Sequence, residues 1–351
     1  SETLTLSGTG SVTDANVDPN KTVTVGTLAL GDGTGLAANY TLSGGTHQLT
    51  INQRPLNATL SRQYDGTATS AGSTLSSFDA LQGGETLTMS GSGTAASVNV
   101  ANGIAMSSNG DLGLVDGTGL ASNYSLNSTV INITQRVLNS SGSKTYDANT
   151  NALAADITLS NLVSGETLNH SGTATLSSAN AGSYTISNLT GISIADNAGL
   201  ASNYTLTGGT HNFTVNQKAI SLSGTRLYDA TTDAVASDLT TISGRVGTET
   251  LTLSGTGSVT DANVASNKTV TVGTLALGDG TGLAANYTLS GGTHQLTINQ
   301  RPLNATLSRQ YDGTATSAGS DFSSFDALQG GETLTMSGSG TAASVNVANG
   351  I

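Results

Sequence analysis

The chain has 351 residues, with 45 glycines, 3 prolines, no cysteine, no tryptophan and a formal net charge of −12. That balance excludes disulfide staples and thiolate metal sites, and it leaves no basic stripe for nucleic acid and no polybasic patch for a membrane surface. Only 10% of the residues are charged, yet valine, leucine and isoleucine alternate regularly with threonine and serine, which predicts pleated sheet wetted on one face rather than disorder. No apolar run approaches the roughly 20 residues of a membrane-spanning helix.

In chain order, residues 1–54 carry Glu2-Thr3-Leu4, an alternating strand at Thr22-Val23-Thr24-Val25, a Gly31-Asp32-Gly33-Thr34-Gly35 loop, Asn39-Tyr40 and a closing strand at Leu49-Thr50-Ile51. Gln53-Arg54 then passes straight into Pro55. With no Gly/Ser spacer, and with φ fixed by proline, the crossing is stiff. From there the landmarks run Tyr64-Asp65-Gly66, Glu85-Thr86-Leu87, Asn123-Tyr124 and Gln135-Arg136. They return as Tyr146-Asp147-Ala148, Glu166-Thr167-Leu168, Asn203-Tyr204 and Gln217-Lys218. They return again as Tyr228-Asp229-Ala230, Glu249-Thr250-Leu251, Asn286-Tyr287 and Gln300-Arg301, before Pro302 and Tyr311-Asp312-Gly313 open a last, partial copy.

The four Tyr-Asp tyrosines stand 82, 82 and 83 residues apart. Such a period is too long for a solenoid coil of about 20–30 residues and long enough for one small sandwich of about seven strands. Boundaries after the Gln-Arg/Lys pairs give complete domains at 55–136, 137–218 and 219–301, a back part at 1–54 and a front part at 302–351. Residues 2–104 recur almost unchanged as 249–351, differing at Asp18/Ala265, Pro19/Ser266, Thr74/Asp321 and Leu75/Phe322. Near-identity marks recent duplication and says little about which residues matter. Asp-Gly at 32–33, 65–66, 116–117, 279–280 and 312–313, and Asn-Gly at 102–103 and 109–110, predict tight hairpin turns with φ > 0. No helical stripe is present, and Ser77–Leu81 allows one short turn at most. The reading is all-β: a rod-like tandem array of small Ig-like antiparallel β-sandwich domains.

The motif Lys/Arg-x-Tyr-Asp-Gly/Ala at Arg62–Gly66, Lys144–Ala148 and Arg226–Ala230 resembles the YDG-type repeats of large secreted bacterial proteins, as does the later Asn-Tyr-Thr/Ser-Leu strand. Such repeats occur in filamentous-haemagglutinin-like adhesins. The resemblance implies an extracellular or bacterial cell-surface stalk with roles in adhesion and biofilm, and it brings no catalytic residues.

The candidate residues are therefore structural. Tyr64, Tyr146, Tyr228 and Tyr311 are expected to be anchors beside the domain joints, each hydroxyl reaching backbone, with Asp65, Asp147, Asp229 and Asp312 accepting turn N–H groups. Ala148 and Ala230 in the glycine position speak against an essential φ > 0 turn there. Asn39-Tyr40, Asn123-Tyr124, Asn203-Tyr204 and Asn286-Tyr287 mark a late strand. Arg54, Pro55, Arg136, Lys218, Arg301 and Pro302 form the joints, the cations bonding exposed carbonyls. Asp32, Asp116, Asp196 and Asp279 bring one carboxylate per loop, against the six to eight oxygens, roughly, that calcium takes. His47, His170, His211 and His294 stand without clustered acids. Domain 55–136 lacks lysine, so no lysine isopeptide bond serves every domain. Catalytic, cofactor and metal residues are expected to be none.

The functional expectation is a structural stalk or extender segment of a large secreted surface adhesin or matrix fibre, not an enzyme. Its partners are neighbouring domains of the same chain, with other copies of the fibre or surface glycans as further candidates, and with no nucleic acid or membrane insertion. The alternative is a multivalent module in which each repeat weakly binds glycan or a neighbouring chain. Because the loops and joints are poor in acids, chelator is expected to leave the melting temperature nearly unchanged. A fall of more than about ten degrees, roughly 2 kcal/mol for a domain of this size, would show that the aspartate loops hold a structural cation.

Overall fold

The computed structural model describes residues 1–186 and 189–347. Ser187 and Asn188 of the domain placed at 137–218, and 348–351 of the part placed at 302–351, lie outside the described residues. The regular elements are β-strands and single 3-10 turns, with no α-helix among the described residues. The fold is all-β, in several small sheets. Contacts divide the chain into two units: Ser1–Ser140 with Leu159–His170 and Ser193–Thr210, and Ser141–Thr158 with Ser171–Ile192 and the chain from His211 onward.

In the first unit, the repeat at 55–136 is built on a six-stranded sheet. Its order is Thr69–Ala71, Ser92–Ala95, Ala101–Ser108, Tyr124–Thr134, Arg54–Gln63 and Leu75–Phe78. Leu87–Ser90 pairs separately with Gly113–Asp116. The first strand, Arg54–Gln63, alternates as its sequence predicts: Leu56, Ala58 and Leu60 are buried while Asn57 faces out. Burying a leucine side chain contributes about 1.5–3 kcal/mol, so this row and Ile131 and Ile133 of the last strand, Tyr124–Thr134, form the backbone of the core. That core also takes in Leu138, Leu168 and Tyr204 from beyond the boundary at 136. The back part at 1–54 keeps two ladders, Leu4–Ser7 with Ala29–Asp32 and Asp18–Thr22 with Gln48–Ile51.

In the second unit, the repeat at 219–301 has a four-stranded sheet in the order Thr241–Ser243, Ser221–Leu227, His294–Asn299, Ala265–Thr269. Two small ladders accompany it, Asp233–Val235 with Thr256–Ser258 and Leu251–Ser254 with Ala276–Asp279. Ile220, Leu222, Leu296 and Ile298 are fully buried. The front part from 302 holds Ala305–Leu307 against Phe322–Phe325 and Thr316–Ala318 against Ser339–Thr341.

Two expectations need correction. The sheets are not purely antiparallel: the first and last strands of a repeat lie side by side and parallel, with Leu56 opposite Leu126 and Leu60 opposite Ile131 in one repeat, and Leu222 opposite His294 in another. The chain therefore enters and leaves such a repeat at opposite ends. An antiparallel pair would return it to the end where it began, and Gln135, the single residue between the strands Tyr124–Thr134 and Arg136–Val137, leaves no length for a detour. Nor do the Asp-Gly and Asn-Gly pairs close two-residue hairpins. Asn102-Gly103 sits inside the strand Ala101–Ser108 at a register shift. Gly33, Gly117 and Gly280 are absent from the left-handed region and are needed for closeness instead: a Cβ on Gly117 would lie 2.3 Å from the Thr86 carbonyl oxygen.

Because Ile131 is fully buried between the first strand and Ile104, Ile131→Ala is expected to destabilise its repeat by about 3–4 kcal/mol. Urea unfolding with an unchanged slope measures it. A cost below about 1 kcal/mol would place the core elsewhere.

Candidate functional site: the joint between repeats

The recurring landmarks converge on one place, the contact between consecutive repeats. Each Tyr-Asp motif ends the first strand in a turn. Asp65 accepts the Thr67 N–H at 2.9 Å and pairs with Arg62, whose guanidinium also reaches the Thr67 carbonyl at 2.5 Å. Lys144 does the same with Asp147 (2.9 Å) and the Asn149 carbonyl (2.8 Å), Arg226 with Asp229 and Thr231, and Arg309 with Asp312 (2.7 Å) and Thr314. Burial pushes the carboxyls of Asp65, Asp147 and Asp229 up, but donors from Thr67, Lys144 and Thr231 and the neighbouring cations outweigh it, and all three stay below their ordinary value. Ala148 and Ala230 hold φ of 63° and 62°, beside 77° at Gly66 and 76° at Gly313. The left-handed turn is thus kept without glycine, contrary to the sequence expectation, and the aspartate and its cation hold the strain.

The turn aims the tyrosine at the following repeat. The Tyr64 hydroxyl donates to Glu166 Oε1 at 2.5 Å, and Tyr204 donates to Oε2 of the same carboxylate at 2.6 Å. The two rings meet edge to face, centroids 5.5 Å apart and planes at 80°, a pairing that contributes about 0.5–1.5 kcal/mol beyond area. At the next joint Tyr146 donates to Glu249 at 2.7 Å, Tyr287 bonds the same carboxylate, and the rings stand 5.4 Å apart. Tyr228 reaches Glu332, Tyr124 reaches Glu85 and Tyr40 reaches Glu2 at 2.8 Å. The Tyr-Asp hydroxyls of Tyr64, Tyr146 and Tyr228 therefore bond carboxylates rather than the backbone expected for them, while those of Tyr124, Tyr204 and Tyr287 also accept the N–H groups of Gln82, Val163 and Val246. Neighbours decide the burial: Tyr64 and Tyr146 are 4% exposed, whereas Tyr311 is 68% and Tyr40 51% exposed.

The Asn-Tyr pair works in the opposite direction. Asn203 Oδ1 accepts the Val100 N–H at 2.9 Å and its amide donates to Asn99 Oδ1 at 3.0 Å. Asn123 does the same to Val17 and Asn16, and Asn286 to Ala181 and Asn180. Asn39 is exposed and keeps only a local turn bond to Leu36. A glutamine closing each last strand adds a bond to the carbonyl just before the pair: Gln53 to Ser122, Gln135 to Ser202 and Gln217 to Ala285, at 3.1, 3.1 and 3.0 Å. Among the joint cations, Arg136 donates to the Asn161 and Tyr64 carbonyls, Arg301 to that of Tyr228 and Arg54 to that of Ala80. Lys218 sits in a two-residue parallel ladder opposite Tyr287. Pro55 lies within the first strand of its repeat, and Pro302 is exposed.

The aspartate loops serve the same place. Asp32, Asp116, Asp196 and Asp279 each accept the N–H that opens the 3-10 turn before Asn-Tyr, at 2.6–2.7 Å. A Cβ on Gly199 or Gly282 would lie 2.5 Å from the joint glutamate. No group of three or more acids and histidines is gathered among the described residues. His47 and His294 each use Nε2 on a carbonyl, at 2.8 Å from Leu42 and Leu289.

Asn16, Asn99 and Asn180 were not singled out from the sequence. Their signal is a turn that recurs at the repeat period, where Asp14, Ser97 and Ser178 accept the asparagine N–H two residues on.

Burial, then the hydrogen bond to the shared carboxylate, pushes Tyr146 and Tyr204 up to about 12. An unfolded phenol ionises near 10. The folded pKa is the higher one, so the stability these tyrosines contribute is complete below pH ~10 and is lost as pH rises toward ~12. Tyrosinate absorbance is expected to lag in that window while thermal stability falls, and Glu249→Gln should bring the Tyr146 transition down. A single step near pH 10 for every tyrosine would contradict the geometry.

A sequence model of the YDG domain matches three tandem segments, residues 46–131, 132–212 and 210–295. A search of curated proteins returns no match. With most of its length covered by three consecutive copies whose motif residues meet at the joints, the chain belongs to the YDG domain family.

Proposed function

We propose that this chain is a structural extender, a stalk segment of a large secreted, filamentous-haemagglutinin-like bacterial surface adhesin or matrix fibre. In this reading its repeats are Ig-like sandwiches stacked end to end as a rod. The observation that carries the proposal is the destination of the motifs. Tyr64 of Tyr-Asp, Glu166 of Glu-Thr-Leu, Asn203 of Asn-Tyr and Gln135 of Gln-Arg each place a polar group on the next or preceding repeat.

Three physical points support it. Parallel first and last strands carry the chain through a repeat from one end to the other. The crossing has no spacer, so it cannot behave as a flexible tether. The joints at Glu166 and Glu249 are each fixed by several independent bonds and a ring pair, which limits bending between neighbours. Length is then the product, and adhesion and biofilm formation are the uses a long secreted stalk serves.

Small-angle scattering on the whole chain tests this. Strands of about seven or eight residues with their end loops give about 35–40 Å per repeat. A stacked chain is expected to be about 150–170 Å long with a radius of gyration near 45–50 Å, against about 20 Å for one compact globule of this size. A value close to the compact one would remove the physical basis of the stalk.

A further inference from the structure

Every Tyr-Asp turn is braced by a cation two residues before its tyrosine, and three of the four copies use the same pair of residues. Arg62, Arg226 and Arg309 each donate to the carbonyl of the residue five positions on, which is a threonine each time: Thr67, Thr231 and Thr314. The repeat at 137–218 changes both members together, with lysine at 144 and asparagine at 149. A guanidinium and a hydroxyl have given way to a primary amine and a carboxamide. The first is a nucleophile once it loses a proton, and the second is an acyl group it can attack.

The two groups are in contact. Lys144 Nζ donates to Asn149 Oδ1 at 2.8 Å. The lysine side chain is 8% exposed, and Nζ is held further by the Asn149 and Asn151 carbonyls, each at 2.8 Å. Asp147 touches both reacting groups: Oδ1 lies 2.9 Å from Nζ, and Oδ2 accepts from Asn149 Nδ2 at 2.7 Å. The Asn151 N–H donates to Asn149 Oδ1 at 2.9 Å, on the oxygen where negative charge gathers when the amide is attacked. Nucleophile, proton acceptor, acyl carbon and oxyanion donor thus lie in one turn. Lys21 and Lys268 also pair with an aspartate, but neither bonds a side-chain amide among the described residues.

We propose that Lys144 and Asn149 join in an intramolecular isopeptide bond, with Asp147 as the catalytic proton carrier. Asp147 takes a proton from the Nζ ammonium, and the freed amine attacks Asn149 Cγ. The Nζ–Cγ bond forms while the amide oxygen, now charged, rests on the Asn151 N–H. The Cγ–Nδ2 bond then breaks. Two protons pass in all from Nζ to Nδ2, through the one carboxylate that faces both nitrogens. The leaving group departs as ammonium, Asp147 ends as it began, and neither oxidant nor cofactor is consumed. Asn149 is exposed as a residue, which opens a path to water for the leaving group. The ring closes over Tyr146 and Ala148, so the left-handed turn at φ 63° that presents Tyr146 to Glu249 becomes covalently fixed. The bond is a property of this one repeat, since the arginine–threonine copies lack both reacting groups.

Tryptic mass mapping of the whole chain, stored folded and denatured just before digestion, tests it. An unlinked chain is cut after Lys144. A linked one releases 137–218 as a single peptide lighter than its sequence by about 17 Da, one ammonia, because an acylated lysine is not cut. That peptide is the expected result. Lys144→Arg and Asn149→Thr each adopt a residue that the other copies use in the same turn, and each should restore the full mass. Wild-type peptides 137–144 and 145–218 at full mass overturn the proposal. A loss of ammonia that persists in Lys144→Arg, or that leaves cleavage after Lys144 intact, overturns it too, because it marks a cyclic imide at an asparagine and not a bond to the lysine.

Discussion

One carboxylate shared by two phenols is the constraint on which the joints at Glu166 and Glu249 rest. A glutamate at a half-buried contact must find donors for both oxygens or remain in water, and the first option is taken at Glu166 and Glu249. One donor comes from the glutamate's own repeat, the other from the repeat before. Neither tyrosine can leave without stranding a charge-assisted bond, so the joint closes as a unit. The rest of the repeat prepares this meeting. The Asp turn aims one tyrosine, the aspartate loop and its 3-10 turn place the other, and a glycine clears room for the carboxylate.

Composition takes on a different meaning once the joints are known. The chain has nine tyrosines, and only Tyr184 lies outside the Tyr-Asp and Asn-Tyr motifs. Tyrosines are therefore concentrated between repeats, while the interior of a repeat is filled mainly by leucine, isoleucine, valine and alanine, with Phe213 as a buried aromatic of the repeat at 137–218. Adjacent cores are also not separate. The cluster around Ile131 and Ile133 runs through Tyr64 into Leu138, Leu168 and Tyr204 without a polar break.

Much of this was legible in the sequence, because a period near 82 residues is visible wherever Tyr-Asp, Glu-Thr-Leu and Asn-Tyr recur. What the motifs touch was not legible. Tyr64 and Glu166 are 102 positions apart, and nothing local to a tyrosine tells a carboxylate partner from a carbonyl. The parallel pairing of Leu60 with Ile131 was hidden for a similar reason, since an alternating strand looks the same whichever way its neighbour runs. Ala148 misled because residue type reports preference and not conformation. A buried cation and two turn bonds at Lys144 and Asp147 override the preference.

The parallel neighbours have a mechanical consequence. When a chain is pulled by its two ends, the force reaches a repeat at the start of the first strand and the end of the last. In the repeats at 55–136 and 219–301 those two strands are adjacent and run the same way. Tension then slides one strand along the other, and every bond of the ladder resists together, over ten paired positions between Arg54–Gln63 and Tyr124–Thr134. An antiparallel pair loaded at one end would open bond by bond, like a zipper. The chain direction that lets repeats follow one another also places their longest ladder in shear.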